Sequence, residues 1–207
     1  MPRYLLVAFL AAGCGGDSDT TDTTSDTSSP TTSTEPLPEG VTLVDLELTT
    51  GNVVFEIHED WAPLGVARFL ELVEAGFYDD TRFFRVVPDF VVQFGLNGDP
   101  EVNTLWRNQP ILDDPPNQSN DRRTIAFASA GAGTRTTQLF VNLADNTFLD
   151  ADFPPIGRVV EGMPNIVAIN AEYGEQPDQM RISLEGNAYL DAAFPRLDGI
   201  ITARVRE

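Results

Sequence analysis

The sequence predicts a mainly β fold, a closed barrel with helices covering its ends. Three observations predict it: many short apolar or alternating runs of strand length, frequent Gly and Pro turns between them, and only two or three helical patterns. Nothing shows the alternation of strand and long helix that a doubly wound sheet needs. The chain has 207 residues. Behind a polar N-terminal part, about 165 residues remain, enough for one core without disulfides. The single cysteine, Cys14, has no partner for an intrachain bridge. Net charge is -19, and all 13 basic residues are Arg. A surface of that sign is repelled by nucleic acid and by anionic membranes, which excludes nucleic acid as a partner class.

Each element follows in chain order. "MPRYLLVAFLAAGCGG" opens with one Arg, a short apolar run and small residues before Cys14. The run Leu5–Ala12 is too short to span a bilayer as a helix and reads as an export signal with a small-residue cleavage site. Residues 15–40 are dominated by Ser, Thr and Asp and lack the apolar surface that ordering needs. They read as a flexible tether.

The folded part, residues 41–207, begins with "VTLVDLELTTGNVVFEIHE". Its alternation on both sides of Thr50-Gly51-Asn52 predicts a hairpin. "APLGVARFLELVEAGFY" sets Val66, Phe69, Leu70 and Val73 at helical spacing, with Pro63 near its start and Gly76 after its end. "RFFRVV" and "FVVQFG" are two short strands broken by Pro88-Asp89. Residues 96–123, 28 in all, form a polar stretch long for a structureless loop, which predicts function or local structure there. "TIAFASA", "QLFVNLA" and "PPIGRVVEG" are strands, with the Gly-rich turn "GAGTR" between the first two. "MPNIVAINA" is a short helix, "MRISLEGNAYLDAAFP" a strand entry followed by a helix, and "GIITARVRE" the last strand.

By periodicity alone these are only strands and helices. By default Arg85 is a solvated surface residue, and Phe90 and Phe140 are core. The only histidine, His58, follows a strand and reads as structural. One His and one Cys give little basis for Ser-His or Cys-His catalysis or for a zinc site, and no cofactor or metal is expected.

Taken together, "FLELVEAGFYDDTRFFRVVPDF", "FVVQFG", "IAFASAG", "QLFVNLADNTFLD" and "IGRVVEGM" resemble the cyclophilin family of peptidyl-prolyl isomerases, from about Val41 to the C-terminus. The resemblance implies an eight-stranded antiparallel barrel capped by two helices, with a groove on its outside that takes proline-containing peptides. It places the catalytic arginine at Arg85 and the groove glutamine, which orients Arg85 or contacts a substrate carbonyl, at Gln93. It places the proline pocket at Phe90, Phe140 and Leu149, with Val91 where the family usually has Met. Phe127, Ala128 and Ser129 fall on the strand that contacts the peptide backbone, Ser129 where Asn is frequent. Phe148 replaces a Trp that many members have, as bacterial exported members often do, which implies weak cyclosporin binding and not lost catalysis. Phe153 falls near the position of a groove histidine. "QFGLNGDPEVNTLWRNQP" departs from the family's Gly-Gly-Asp turn, and the helical segment from Gln176 to Pro195 is extra, with no role assigned.

"LAAGC" also resembles the bacterial lipoprotein signal, in which the cysteine becomes the acylated first residue; an ordinary secretory signal with an incidental Cys14 is the alternative. The expected protein is therefore a monomeric envelope lipoprotein that isomerises X-Pro bonds in unfolded or folding envelope proteins. A proline-peptide-binding envelope module with little turnover is the alternative, and a barrel that only docks a partner is a third reading. If Cys14 anchors the chain, the mass of the mature N-terminus will be that of an acylated cysteine; an unmodified Cys14 removes the anchor.

Overall fold

The computed structural model describes residues 37–207. The signal, the Cys14 acylation site and the tether up to residue 36 lie outside the described residues. Residues 37–40 are exposed and turn into the first strand, where the Val41 N–H donates to the Pro38 carbonyl at 3.2 Å.

Strands β1 (Val41–Leu48) and β2 (Gly51–His58) form the expected hairpin. Its turn is Thr49-Thr50, one step before the expected one, and Gly51 pairs with Leu48 at a φ of +122°. Val44, Leu46 and Leu48 on one strand and Val53, Phe55 and Ile57 on the other are buried, so the period-two pattern puts one face of each in the core. Helix α1 (Pro63–Glu74) follows and buries Val66, Phe69, Leu72 and Val73; Leu70, expected on that face, is only partly buried. Next come β3 (Thr81–Arg82), β4 (Arg85–Val87) and β5 (Val91–Phe94). The polar stretch contains helix α2 (Pro100–Trp106), which was not expected as a helix. Asp99 caps it, its carboxylate accepting the Glu101 N–H at 2.8 Å, and Pro100 occupies the first turn. Strands β6 (Thr124–Phe127) and β7 (Leu139–Asn142), a 3-10 turn (Thr147–Leu149), β8 (Pro155–Glu161) and helix α3 (Met163–Val167) lead into the C-terminal segment.

That segment holds two helices, α4 (Gln179–Glu185) and α5 (Asn187–Ala193), before the last strand, β9 (Gly199–Val205). The expected strand entry at Met180 is helical. Asp178 caps α4 by accepting the Arg181 N–H at 2.9 Å, and Arg181 pairs with Glu185 one turn on. Gly186 separates the two helices at φ +61°, packed so tightly on the Gly98 carbonyl that no side chain fits.

Among the described residues the sheet has nine antiparallel strands, in the order β3-β9-β1-β2-β8-β6-β7-β5-β4. This corrects the expectation of eight strands in a closed ladder. The edge strands β3 and β4 are not hydrogen-bonded to one another, although only Phe83 and Phe84 separate them in sequence. The two are successive parts of one extended run, β3 pairing with β9 and β4 with β5, and the Phe83 N–H goes to the Asp198 carbonyl just before β9. Phe83 packs into the main core, while Phe84 turns out into a second core with Leu96, Ile182, Tyr189 and Leu190. Two helices, α1 on β2, β8 and β9 and α3 on β2, lie against the sheet as expected; α2, α4 and α5 are additional.

A buried ion pair fixes α1 to the rest. The residue preceding α1, Ala62, offers no capping side chain. Asp114 caps the helix from far along the chain: its carboxylate accepts the Leu64 and Gly65 N–H groups at 2.9 Å each. Arg135 donates to it at 3.0 Å, and both side chains are 1 % exposed. Asp114→Ala removes the buried partner of that guanidinium and leaves it only the more exposed Asp113, 3.4 Å from its Nε. A loss of about 3–5 kcal/mol is expected, read as a lower urea midpoint at an unchanged m-value.

Candidate active site

The outer face of strands β4 to β7 carries the groove. Along β5, Val92 and Phe94 enter the main core, so Val91 and Gln93 face outward. Along β4, Val86 is core and Arg85 is outward; along β7, Leu139 and Val141 are core and Phe140 is outward. The register then aligns Arg85 with Gln93, Gln93 with Phe140, and Phe140 with Ala126 in a single row across four strands. The β4–β5 connection fixes this register. The Phe90 N–H donates to the Val87 carbonyl at 3.1 Å across a turn with Pro88 at its second position and Asp89 at φ +57°.

Arg85 is held on two sides. Its Nη1 donates to Gln93 Oε1 at 3.2 Å, and its Nε donates to Glu175 Oε1 at 2.6 Å. The guanidinium lies 5.5 Å from the centre of the Phe90 ring, within cation–π range. Its side chain is 25 % exposed, so it is neither in bulk water nor fully dry. Gln93 is 7 % exposed and in turn donates from Nε2 to Gln138 Oε1 at 2.8 Å, which sets its amide so that the oxygen faces Arg85.

The depression beside this row has a volume of about 330 Å³. Arg85, Phe90, Val91, Gln93, Ala128, Ser129, Phe140, Leu149 and Phe153 all line it. Phe153, placed by resemblance in an irregular loop, meets Phe140 edge to face at 5.7 Å. Two expected residues do not line the groove. Phe127 is 1 % exposed in the main core, because it alternates with Ala126 and Ala128, which take the groove side. Phe148 is 71 % exposed and stacks on Phe90 at 6.0 Å, outside the lining. The Ala128 N–H is already donated to the Gln138 carbonyl at 2.9 Å, so it is not a free donor for a peptide. Sequence reasoning missed Thr134, Thr136, Gln138 and Gln179, which complete the wall, and Glu175.

Behind the aromatic residues sits a buried amide network. Asn146 Nδ2 donates to the Phe90 carbonyl at 3.0 Å and to Asn142 Oδ1 at 2.7 Å. Asn142 Nδ2 donates to Asn120 Oδ1 at 3.1 Å, and Asn120 Nδ2 donates to the Phe153 carbonyl at 3.0 Å. Two pocket residues that are far apart in sequence are thus tied to one satisfied polar chain, which rigidifies them. Asp150, next to Leu149, accepts from the Asn120 N–H at 2.7 Å and from Ser119 Oγ at 2.8 Å.

The chain that builds this groove is similar to known proteins. A model of the "Cyclophilin type peptidyl-prolyl cis-trans isomerase/CLD" family matches residues 43–185. The chain belongs to the cyclophilin family. A peptidyl-prolyl cis-trans isomerase of Acinetobacter baylyi is 33 % identical over 129 residues, covering 59 % of this chain and 68 % of that protein. Peptidyl-prolyl cis-trans isomerase A of Dickeya dadantii is 36 % identical over 129 residues, covering 59 % and 67 %. A crystal structure of a cyclophilin from Cryptosporidium parvum superposes with a TM-score of 0.63 at 18 % identity, over 81 % of this chain and 98 % of that one. A second, in the presence of the dipeptide Ala-Pro, gives 0.61 at 19 % identity, over 80 % and 99 %. This cyclophilin is therefore an enzyme of the peptidyl-prolyl isomerase class.

Asp150 gives the cyclophilin groove an acid limit. The Asn120 N–H, ahead of the Ser119 hydroxyl and the Asn120 amide, holds its carboxyl below the usual 3.8 despite the opposing cost of burial. A depressed folded value means the stabilisation is complete above 3.8 and is lost as pH falls through the lower folded value. Asp150→Asn is expected to melt below wild type at pH 7, and the gap should narrow in thermal melts as pH falls below 3.8. A gap that persists in acid removes the charge from this role.

Proposed function

We propose that this groove accelerates rotation about X-Pro bonds in exported proteins, with Arg85 as the group that acts on the reacting atom. A peptide bond is planar because its nitrogen lone pair is delocalised into the carbonyl, and rotation costs roughly 18–20 kcal/mol. X-Pro is the case in which both isomers lie close in energy, so a catalyst has two states to equilibrate. At the twisted transition state the delocalisation is lost, and the proline nitrogen regains a lone pair absent from either ground state. A fixed donor aimed at that nitrogen binds the transition state better than the substrate.

Arg85 suits that task. Of the five N–H groups of a guanidinium, one goes to Glu175 and one to Gln93, which leaves three for a substrate. No proton has to leave and no covalent bond has to form. Phe90, Val91, Phe140 and Leu149 supply the apolar wall that buries and immobilises a proline ring. The carbonyl side of the bond then turns against a fixed ring.

The observation that carries this reading is the row Arg85–Gln93–Phe140, which brings a restrained guanidinium to the edge of an apolar pocket. A relative's structure in the presence of Ala-Pro supports a proline peptide as the occupant. The signal-like start, Cys14 and the polar tether support a site outside the cytoplasm, held at a membrane by a lipid and acting on folding envelope proteins. The enzyme works in this reading as a monomer.

Arg85→Ala is expected to lower kcat/KM for a short X-Pro peptide by about 10²–10³-fold in an NMR exchange or protease-coupled assay. Its thermal melt should stay near that of wild type, since Arg85 lies outside every core cluster. Peptide binding with no rate enhancement by the wild type would instead make the protein a proline-peptide-binding module.

A further inference from the structure

The segment between α3 and β9 gives the pocket wall one residue, Gln179, and the isomerase reading leaves the rest of it without a task. It touches three consecutive residues at the strand that bears Arg85, the one before it and its first two. Phe84 is 1 % exposed in the second core, among Ile182, Tyr189 and Leu190 of helices α4 and α5. Arg85 donates from Nε to Glu175 at 2.6 Å. The Val86 N–H donates to the Gly174 carbonyl at 3.1 Å. Strand β4 is an edge of the sheet, with β5 on one side only. On the open side, residues 174 and 175 supply the main-chain acceptor and side-chain partner that a neighbouring strand would supply.

The approach is built rather than incidental. The chain turns at Gly174, at φ +55°, and the Gly174 N–H donates to the Ala171 carbonyl at 3.1 Å. Tyr173 is pinned edge to face on Phe194 at 5.1 Å, and Phe194 on Tyr189 at 5.6 Å. Tyr189 Oη accepts the Asp178 N–H at 3.2 Å, which ties the end of the loop to the same aromatic group. The carboxylate of Glu175 is 63 % exposed, so its place beside Arg85 comes from this backbone and not from burial of its own.

We propose that this segment is a buttress for the active-site arginine, and that Glu175 is a positioning residue, clamping the Arg85 side chain against Gln93. An arginine side chain has large rotamer freedom to lose. Gln93 alone grips one end of the guanidinium fork; Glu175 grips the Nε edge, and two contacts on different edges of a planar group fix its orientation. The terminal nitrogens then stay aimed into the groove. Glu175 acts through Arg85 and has no contact with the reacting bond. The inference rests on the proposed role of Arg85.

The test compares the full chain with Glu175→Ala and Glu175→Gln on one X-Pro peptide, with kcat and KM separated. The 15Nε–1Hε NMR signal of Arg85, assigned by its loss in Arg85→Lys, is followed in each. Glu175→Ala should lower kcat about 5–10-fold with KM within about twofold, and shift or broaden the Nε signal. Glu175→Gln keeps an acceptor for Nε, so it should stay within about threefold of wild-type kcat with a sharp signal. Unchanged kcat and an unchanged signal in Glu175→Ala overturn the clamp. So does a rise in kcat, which would mean that Glu175 withholds the arginine. So does a Glu175→Gln as slow as Glu175→Ala, which would make charge and not held geometry the requirement. If the wild type gives no rate enhancement, the isomerase reading fails, and the Nε signal alone decides the clamp.

Discussion

Everything in the groove depends on the alternation of faces along β4 to β7. One face of these short strands fills the main core with Val86, Val92, Phe94, Ile125, Phe127, Leu139 and Val141. The other carries Arg85, Val91, Gln93, Ala126 and Phe140. A slip of one residue would exchange Arg85 with Val86 and Gln93 with Phe94, burying a cation and exposing a ring. The core therefore sets the register, and the register sets the site. The row Arg85–Gln93–Phe140–Ala126 is a by-product of packing on the opposite face.

That arrangement leaves Arg85 on an edge strand three residues long. An edge exposes unpaired main-chain groups and gives its side chains neighbours on one side only. It also provides the access that a peptide needs. The split of Phe83 and Phe84 between two cores reconciles these demands. The segment before Arg85 is gripped from both sides of the sheet, so the strand can remain an edge without becoming loose. In a chain with 32 acidic and 13 basic residues, a guanidinium near an apolar wall also needs protection from being drawn to whichever carboxylate is nearest. Gln93 and the Phe90 ring hold it at the pocket, and Glu175 binds its inner nitrogen, leaving three N–H groups unclaimed by these two partners.

The groove residues were legible through the family resemblance, since by local rules alone Arg85 read as solvated and Phe140 as core. The structure shows why they meet: Arg85 and Gln93 are eight residues apart across a Pro-Asp turn, and the pairing of β5 with β7 sets Phe140 beside Gln93. Period two should have excluded Phe127, which cannot share a face with Ala126 and Ala128; the correction needed no structure. Phe148 was not legible, because within a 3-10 turn no alternation says which of two adjacent apolar residues, Phe148 or Leu149, enters the pocket. The amide network was hidden for a different reason. Asn120 and Asn146 sit in loops, where Asn is the default turn residue, and nothing local marks them as buried. Glu175 lies 90 residues from Arg85 on a loop without periodicity, so only the folded chain reveals the pair. Nor did the pattern show α2 or the second core, whose apolar residues are contributed by segments far apart in sequence.

The chemistry explains why so much polar structure stands behind so few reacting groups. A donor to a transient lone pair is only as good as its aim. Orientation falls off steeply for a hydrogen bond bent far from linear. Among the described residues, several of the buried polar side chains gather at two supports. One is Asp114 and Arg135, which lock α1 beneath the sheet; the other is Asn120, Asn142 and Asn146, which fix the backbones of Phe90 and Phe153. Neither contacts a substrate. The asparagine chain converts satisfied buried hydrogen bonds into stiffness of the wall against which, in the proposed mechanism, a proline ring is held. The Asp114–Arg135 pair fixes α1, although Arg135 Nε and Nη1 have no hydrogen-bond partner. In that mechanism the rate depends on how still the ring and Arg85 remain relative to each other.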